Sequence, residues 1–135
     1  MATTSDHLRQ WRHNRELVSR IPPTHPDWIV TVSFYTALHA IDALLAADKV
    51  SRIVSHAARN SVLTQTNKYA HLAKTFLPLY DLSQTVRYLA DPAAWISFDS
   101  VEREVFRRYL YPIENSVMRL LKTSEMSADP IQFAS

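Results

Sequence analysis

At 135 residues, 47% hydrophobic and 21% charged, the chain has the length of one domain and the balance of a folded one. It contains no glycine, where ordinary usage of about 7% would give roughly nine; glycine-built phosphate loops, Rossmann turns and nucleophile elbows are therefore excluded, and tight hairpins of an all-β fold are disfavoured. It contains no cysteine, which removes disulfides, zinc–thiolate sites and thiol nucleophiles, and its formal net charge of +2 is small but unevenly spread.

The stretch Met1 to His7 lacks the basic start and apolar centre of a signal peptide, so the expected compartment is the cytoplasm. A first helix is predicted from about Ser5 to Ile21, with Thr4 or Ser5 as N-cap and Leu8, Trp11, Leu17 and Ile21 as its apolar stripe. Pro22-Pro23-Thr24-His25-Pro26 must end it, because proline lacks the amide donor and drives the preceding residue out of the α region. The second helix, Asp27 to about Ala47, is the strongest reading: Val30, Phe34, Leu38, Ile41 and Leu45 recur at helical spacing. Thr31, Ser33, Thr36, His39 and Asp42 interrupt its apolar run, which points to a buried helix and not a membrane span.

Residues 48 to 54 read as a connection, and Ser55 caps a short third helix from His56 to about Thr66. Asn67 restarts the chain into a run that reaches about Ala90, broken or kinked at Pro78, with Leu79, Leu82, Val86 and Leu89 as its inward stripe. Asp91-Pro92 ends that run. Ser97 or Asp99 opens a final helix reaching about Lys122, in which Pro112 is expected to produce a bend. Residues 123 to 135 are expected to form a flexible tail, with Ile131 and Phe133 as its possible anchors. The whole reads as one all-α domain over residues 1–122, an up-and-down bundle of four to five helices.

Three polar groupings carry the chemistry the chain could perform. Tyr35, His39 and Asp42 lie at i, i+4 and i+7 on one face of the second helix, where a carboxylate one turn from an imidazole can orient it for acid–base work; the same trio can equally be a self-satisfied polar group in a bundle core. In Ser55-His56-Ala57-Ala58-Arg59-Asn60, with Arg52 upstream, the histidine can move a proton while arginine grips a phosphate, although His-x-x-Arg is a short pattern that arises by chance. In the third grouping Tyr80, Ser83, Gln84 and Arg87 share a face away from the apolar stripe, with Tyr88 at its edge, and can meet the second group across the bundle or simply face solvent. The chain from Lys49 to Tyr80 holds five cations and no acid, leaving the remainder acidic, so this middle third is either a phosphate-facing surface or an ordinary solvated face. No HExxH and no close His/carboxylate cluster beyond His39 and Asp42 is present, and neither a metal nor another cofactor is expected.

The order of these features resembles a HEPN domain. The resemblance spans about Trp28 to Leu121 and rests on Phe34-Tyr35-Thr36-Ala37-Leu38-His39-Ala40-Ile41-Asp42 in a long second helix, Ser55-His56-Ala57-Ala58-Arg59, Leu79-Tyr80-Asp81-Leu82-Ser83 and the closing Arg87-Tyr88. It implies a helical bundle that forms a homodimer and associates with RNA or a nucleotide. It also implies a setting of the toxin–antitoxin or phage-defence type, in which a nucleotidyltransferase antitoxin is a typical partner protein. Nuclease members of that family carry an arginine, a polar residue and a histidine, with four to six residues between the arginine and the histidine. Here Arg59-Asn60 begins that pattern but Thr64, Gln65 and Thr66 stand where the histidine belongs, and the Arg20–His25 spacing runs through Pro22-Pro23.

Two functions follow as expectations. The first is a dimeric RNA- or nucleotide-associated or assembly module without chemistry of its own. The alternative is a metal-independent endoribonuclease with His56 or His39 as base, and with Arg59 and Arg87 holding the scissile phosphate. Arg52, Asn60, Arg87, Tyr80 and Tyr88 are the candidate phosphate- or RNA-binding residues, and Tyr35, Asp42 and Ser83 the supporting ones. The nuclease reading requires His56, Arg59 and Arg87 to converge in one cleft.

Overall fold

The computed structural model describes residues 2–50, 53–88, 98–127 and 129–133; its described residues are helical and contain no strand. The elements are α1 (Thr4–Val18), α2 (Pro26–Ala47), α3 (His56–Gln65), a 3-10 turn (Asn67–Tyr69) leading into α4 (Ala70–Arg87), and then α5 (Phe98–Val101), a π-helical segment (Glu102–Leu110) and α6 (Tyr111–Leu121). The last three run end to end, so the described residues form five helices in an all-α bundle.

α1 begins one residue earlier than the sequence suggests. Its N-cap is Thr3, not Thr4 or Ser5: Thr3 Oγ1 accepts from the Asp6 amide at 3.1 Å and Asp6 returns the bond to the Thr3 amide at 2.9 Å. The buried stripe is Leu8, Trp11, Asn14 and Val18. Leu17, expected in that stripe, faces solvent because six residues from Trp11 is a third of a turn off the face that Val18 completes.

α2 is the axis of the fold and touches α1, α4, α6 and the π segment. Pro26 occupies its first turn, where a missing amide donor costs nothing. Ile29, Val30, Phe34, Ala37, Leu38, Ala40, Ile41, Ala43, Leu44 and Leu45 are all buried, as expected of a helix that is apolar on nearly every side. By length and composition this helix is apolar enough to cross a membrane; here most of it is enclosed by the other helices. Two of its buried hydroxyls are satisfied locally, Thr31 Oγ1 on the Asp27 carbonyl at 2.9 Å and Thr36 Oγ1 on the Val32 carbonyl at 2.8 Å, while the buried Ser33 Oγ has no hydrogen-bond partner among the described residues.

α1 and α2 form an antiparallel hairpin, since Thr4 meets Ala43 and His7 meets His39. α4 is also antiparallel to α2: Tyr69 at its entrance bonds Asp48 past the end of α2, and Arg87 at its exit reaches Tyr35. Ser55 caps α3 as expected, accepting from the Ala58 amide at 3.1 Å. Pro78 is carried inside α4. The inward stripe of α4 is Leu72, Phe76, Leu79, Ser83 and Val86. Leu82 is only half-buried, and Leu89, Asp91, Pro92 and Ser97 lie outside the described residues.

Pro112 sits, as expected, inside one continuous helical run over residues 98–121. It falls in the first turn of α6, and the irregularity it imposes is taken up upstream by the π-helical segment. The physical reason is that proline offers no amide to the carbonyl four residues back and its ring crowds that carbonyl, so the wider π turn relieves both problems. Lys122, in the left-handed region at φ 54°, ends α6. The segment after it, expected as a loose tail, lies on the bundle at several points. Met126 is buried, Phe133 stacks on Phe106 at 5.8 Å, and the Ile131 amide donates to Tyr111 Oη at 2.8 Å.

Candidate functional site

Tyr35, His39 and Asp42 lie on the one side of α2 that is not wholly enclosed, together with Trp28, Val32 and Ala46. The spacing of these residues, alternately three and four apart, keeps them in a single row. α1 flanks this row on one side, and α3 with the end of α4 flanks the other.

At Asp42 the row meets α3. Arg59 donates its Nε to Asp42 Oδ1 at 2.8 Å and Nη2 to Oδ2 at 2.9 Å, a two-pronged pair in which both side chains are almost wholly removed from solvent. The third guanidinium nitrogen, Nη1, lies 3.3 Å from His56 Nδ1. Arginine has no acceptor, so this contact requires Nδ1 to be unprotonated and leaves the imidazole hydrogen on Nε2. Burial lowers the His56 pKa first, the neighbouring Arg59 and Arg87 charges lower it further, and Asp42 opposes them only in part. The contact thus favours the neutral Nε2–H tautomer of His56. Its ring packs 5.4 Å from Tyr80 and 5.8 Å from Phe34.

Arg87 approaches from the end of α4. Its Nη1 donates to Tyr35 Oη at 3.2 Å and its Nε to the Ser83 carbonyl at 3.2 Å; the guanidinium also lies over the Tyr35 ring, 5.7 Å from its centre. Ser83 is buried on the inward stripe, and not on the outward face with Tyr80 and Arg87; the sequence reading placed it there by using Leu82 instead of Ser83 to continue the stripe from Leu79. It still supports the site, because its carbonyl and its Oγ, 3.5 Å from Nη2, steer the Arg87 head group.

The two arginines therefore differ in kind. The charge of Arg59 is cancelled by Asp42, just as Lys68 is paired with Asp48 and Arg15 with Glu114. Arg87 has only neutral partners: among the described residues no carboxylate lies within ion-pair distance of it, and it is exposed. Two of the five cations in the acid-free middle of the chain are consequently turned onto Asp42 of α2 and Asp48 just past its end, while Lys49 and Lys74 face solvent and Arg52 lies outside the described residues.

His39 is not part of the His56 cluster. It sits on the α1 flank of the row, its Nδ1 3.2 Å from His7 Nδ1. Burial lowers its pKa, the His7 and Arg59 charges add to this, and Asp42 opposes them. Asn60 is half-buried on α3, with an enclosed Oδ1 that has no partner among the described residues. Tyr88 stands exposed at the end of α4. Sequence reasoning missed His7 altogether, because only the packing of α1 on α2 brings it to His39.

A cavity of about 320 Å³ opens at the far end of the row, lined by His7, Asp42, Leu45, Ala46, Val50, Ile53 and Val54 with Ala2. The structure thus brings together His56, Arg59, Arg87, Asp42, Tyr35, Tyr80 and Ser83; His39, in the same row, bonds His7 instead, and Tyr88 stands exposed past the end of α4. No group of three histidine or carboxylate side chains is placed to hold a metal ion among the described residues. No family model, curated protein or solved structure matches the chain at a significant level.

Proposed function

We propose that this bundle is a HEPN-like binding module for RNA or a nucleotide, and that Arg87 and His56 form its phosphate-contacting pair. The single observation that carries this reading is the Arg87 guanidinium: exposed, fixed in direction by Tyr35 and Ser83, and free of any described carboxylate. A fixed charge with no counter-ion among the described residues suits an anionic ligand. His56 adds a neutral Nε2–H donor beside it, and Tyr35 and Tyr80 supply aromatic surface for a base.

The same geometry favours binding over cleavage. A general base needs a free lone pair on its imidazole, and the lone pair of His56 Nδ1 is taken by Arg59. Arg59 then acts on His56 and Asp42, and not on a phosphate. The alternative, a metal-independent endoribonuclease, is favoured by one feature, the convergence of His56, Arg59 and Arg87; it requires the Arg59–His56 contact to open during the reaction.

The reading is tested by filter binding of labelled RNA to the wild-type protein and to Arg87→Ala. The expected result is retention by wild type and a loss of about tenfold or more in the variant, as for a charge-assisted contact worth about 1.5–3 kcal/mol. Equal retention by both would sink it.

A further inference from the structure

α2 is enclosed almost throughout, yet one of its half-open positions carries its largest side chain. Trp28 is 59% exposed, in contrast to Trp11, which is buried with its indole N–H on Glu114 at 2.8 Å. Trp28 lies two turns before Tyr35 on the same face, an axial step of about 10 Å. Val32, half-buried, lies between them. The row that begins at Trp28 therefore runs to Tyr35, where Arg87, which pairs with no described carboxylate, stands over the ring. An aromatic plate, an apolar step and a second aromatic ring follow each other along α2, and the Arg87 guanidinium of α4, with no described carboxylate beside it, stands over the last.

We infer that this row is a track for single-stranded RNA, in which Trp28 stacks a base one or more nucleotides away from the phosphate held by Arg87. The inference rests on the anion-binding reading of Arg87 given above and extends it from a nucleotide to a strand. Stacking on exposed aromatics beside a basic anchor is the physical basis of sequence-tolerant single-strand binding, because every base has a flat face and every linkage a charge. A double helix does not fit the arrangement, since its bases are already stacked on one another and cannot lie on Trp28. The occupant is complementary in charge to Arg87 and in surface to Trp28 and Tyr35; an apolar protein helix would leave the Arg87 charge unanswered.

The test is fluorescence anisotropy with a short fluorescein-labelled oligouridylate in EDTA, over a range of salt, for wild type, Trp28→Ala, Trp28→Phe and Arg87→Ala. Light scattering on the same samples reads the oligomeric state. Trp28→Ala is expected to weaken binding about 5- to 150-fold, the equivalent of about 1–3 kcal/mol for one lost base stack. Its salt slope should stay that of wild type, because no phosphate contact is removed, and Trp28→Phe should recover most of the loss. Arg87→Ala should weaken binding and also lower the salt slope by about 0.7, the value for one single-strand phosphate contact. If Arg87→Ala is impaired but Trp28→Ala binds as wild type does, the track is overturned and the Arg87 reading survives. If wild type does not bind, or Arg87→Ala binds equally well, both fall. Loss of binding in Trp28→Ala that accompanies dissociation of an oligomer assigns Trp28 to an interface between copies and overturns the track.

Discussion

Asp42 accepts both prongs of the Arg59 guanidinium, Nε at 2.8 Å and Nη2 at 2.9 Å, although the two residues lie on different helices and are 17 positions apart. Both side chains are nearly closed to solvent, at 12% and 8% exposure, so neither charge can be left alone without a large penalty. Asp42→Asn is expected to destabilise the fold by about 3–5 kcal/mol, read from urea unfolding, because it strands a buried guanidinium. Replacing both residues by apolar ones of similar volume, Asp42→Leu with Arg59→Met, should restore much of that loss. A single variant with wild-type stability would show that the pair is solvated.

The Arg59 contact also determines where His56 carries its proton. Nitrogen-15 NMR at neutral pH should report His56 as the Nε2–H tautomer, with Nδ1 bare. In Arg59→Met that preference should relax and the His56 pKa should rise, because a positive neighbour has been removed. An Nδ1–H tautomer in the wild-type protein would contradict the geometry.

His39 and His56 make stability depend on pH in a defined direction. Both pKa values are lowered in the fold, first by burial, so the unfolded chain takes up these protons more readily. The stability they contribute is complete above the unfolded value of about 6.5 and is lost as pH falls from there through the lower folded values. The urea midpoint should therefore fall between pH 7 and 5, and the fall should shrink in a His39→Gln/His56→Gln variant. An identical slope in that variant would refute the assignment.

Glu114 offers a second check on the interior. It is fully buried on α6, where it accepts from Trp11 Nε1 and Arg15 Nε, both at 2.8 Å, and so ties α1 to the end of the bundle. Burial pushes its pKa up against the opposing pull of Arg15 and Trp11. Glu114→Ala should cost about 3–5 kcal/mol in urea unfolding, since it leaves the Arg15 charge and the indole N–H unanswered. A cost below about 1 kcal/mol would mean that water reaches the site.

What was legible in the sequence was what helical periodicity encodes. Pro26 and the apolar run after it define α2, Ser55 defines the start of α3, and the shared face of Tyr35, His39 and Asp42 follows from spacing alone. What each face meets was not legible, because that depends on how helices are set against one another. The Asp42–Arg59 pair and the His7–His39 contact both cross between helices, and no local pattern announces them. Ser83 was misplaced for a related reason: Leu79 and Val86 fit a stripe through Leu82 as well as one through Ser83, and packing chose the smaller residue. At Pro112 the sequence foretold an irregularity but not its form, since a π segment is a cooperative widening of the preceding backbone.

Whether the Arg87–His56 face holds RNA without cutting it decides between a binding module and a nuclease. The direct measurement is incubation of the purified protein with labelled total RNA and transfer RNA in EDTA, beside His56→Ala and Arg87→Ala, with bound and intact RNA read from the same reactions. For a binding module, wild type retains RNA at full length and Arg87→Ala releases it. Cleavage by wild type that His56→Ala abolishes would contradict that reading and establish a metal-independent nuclease in its place.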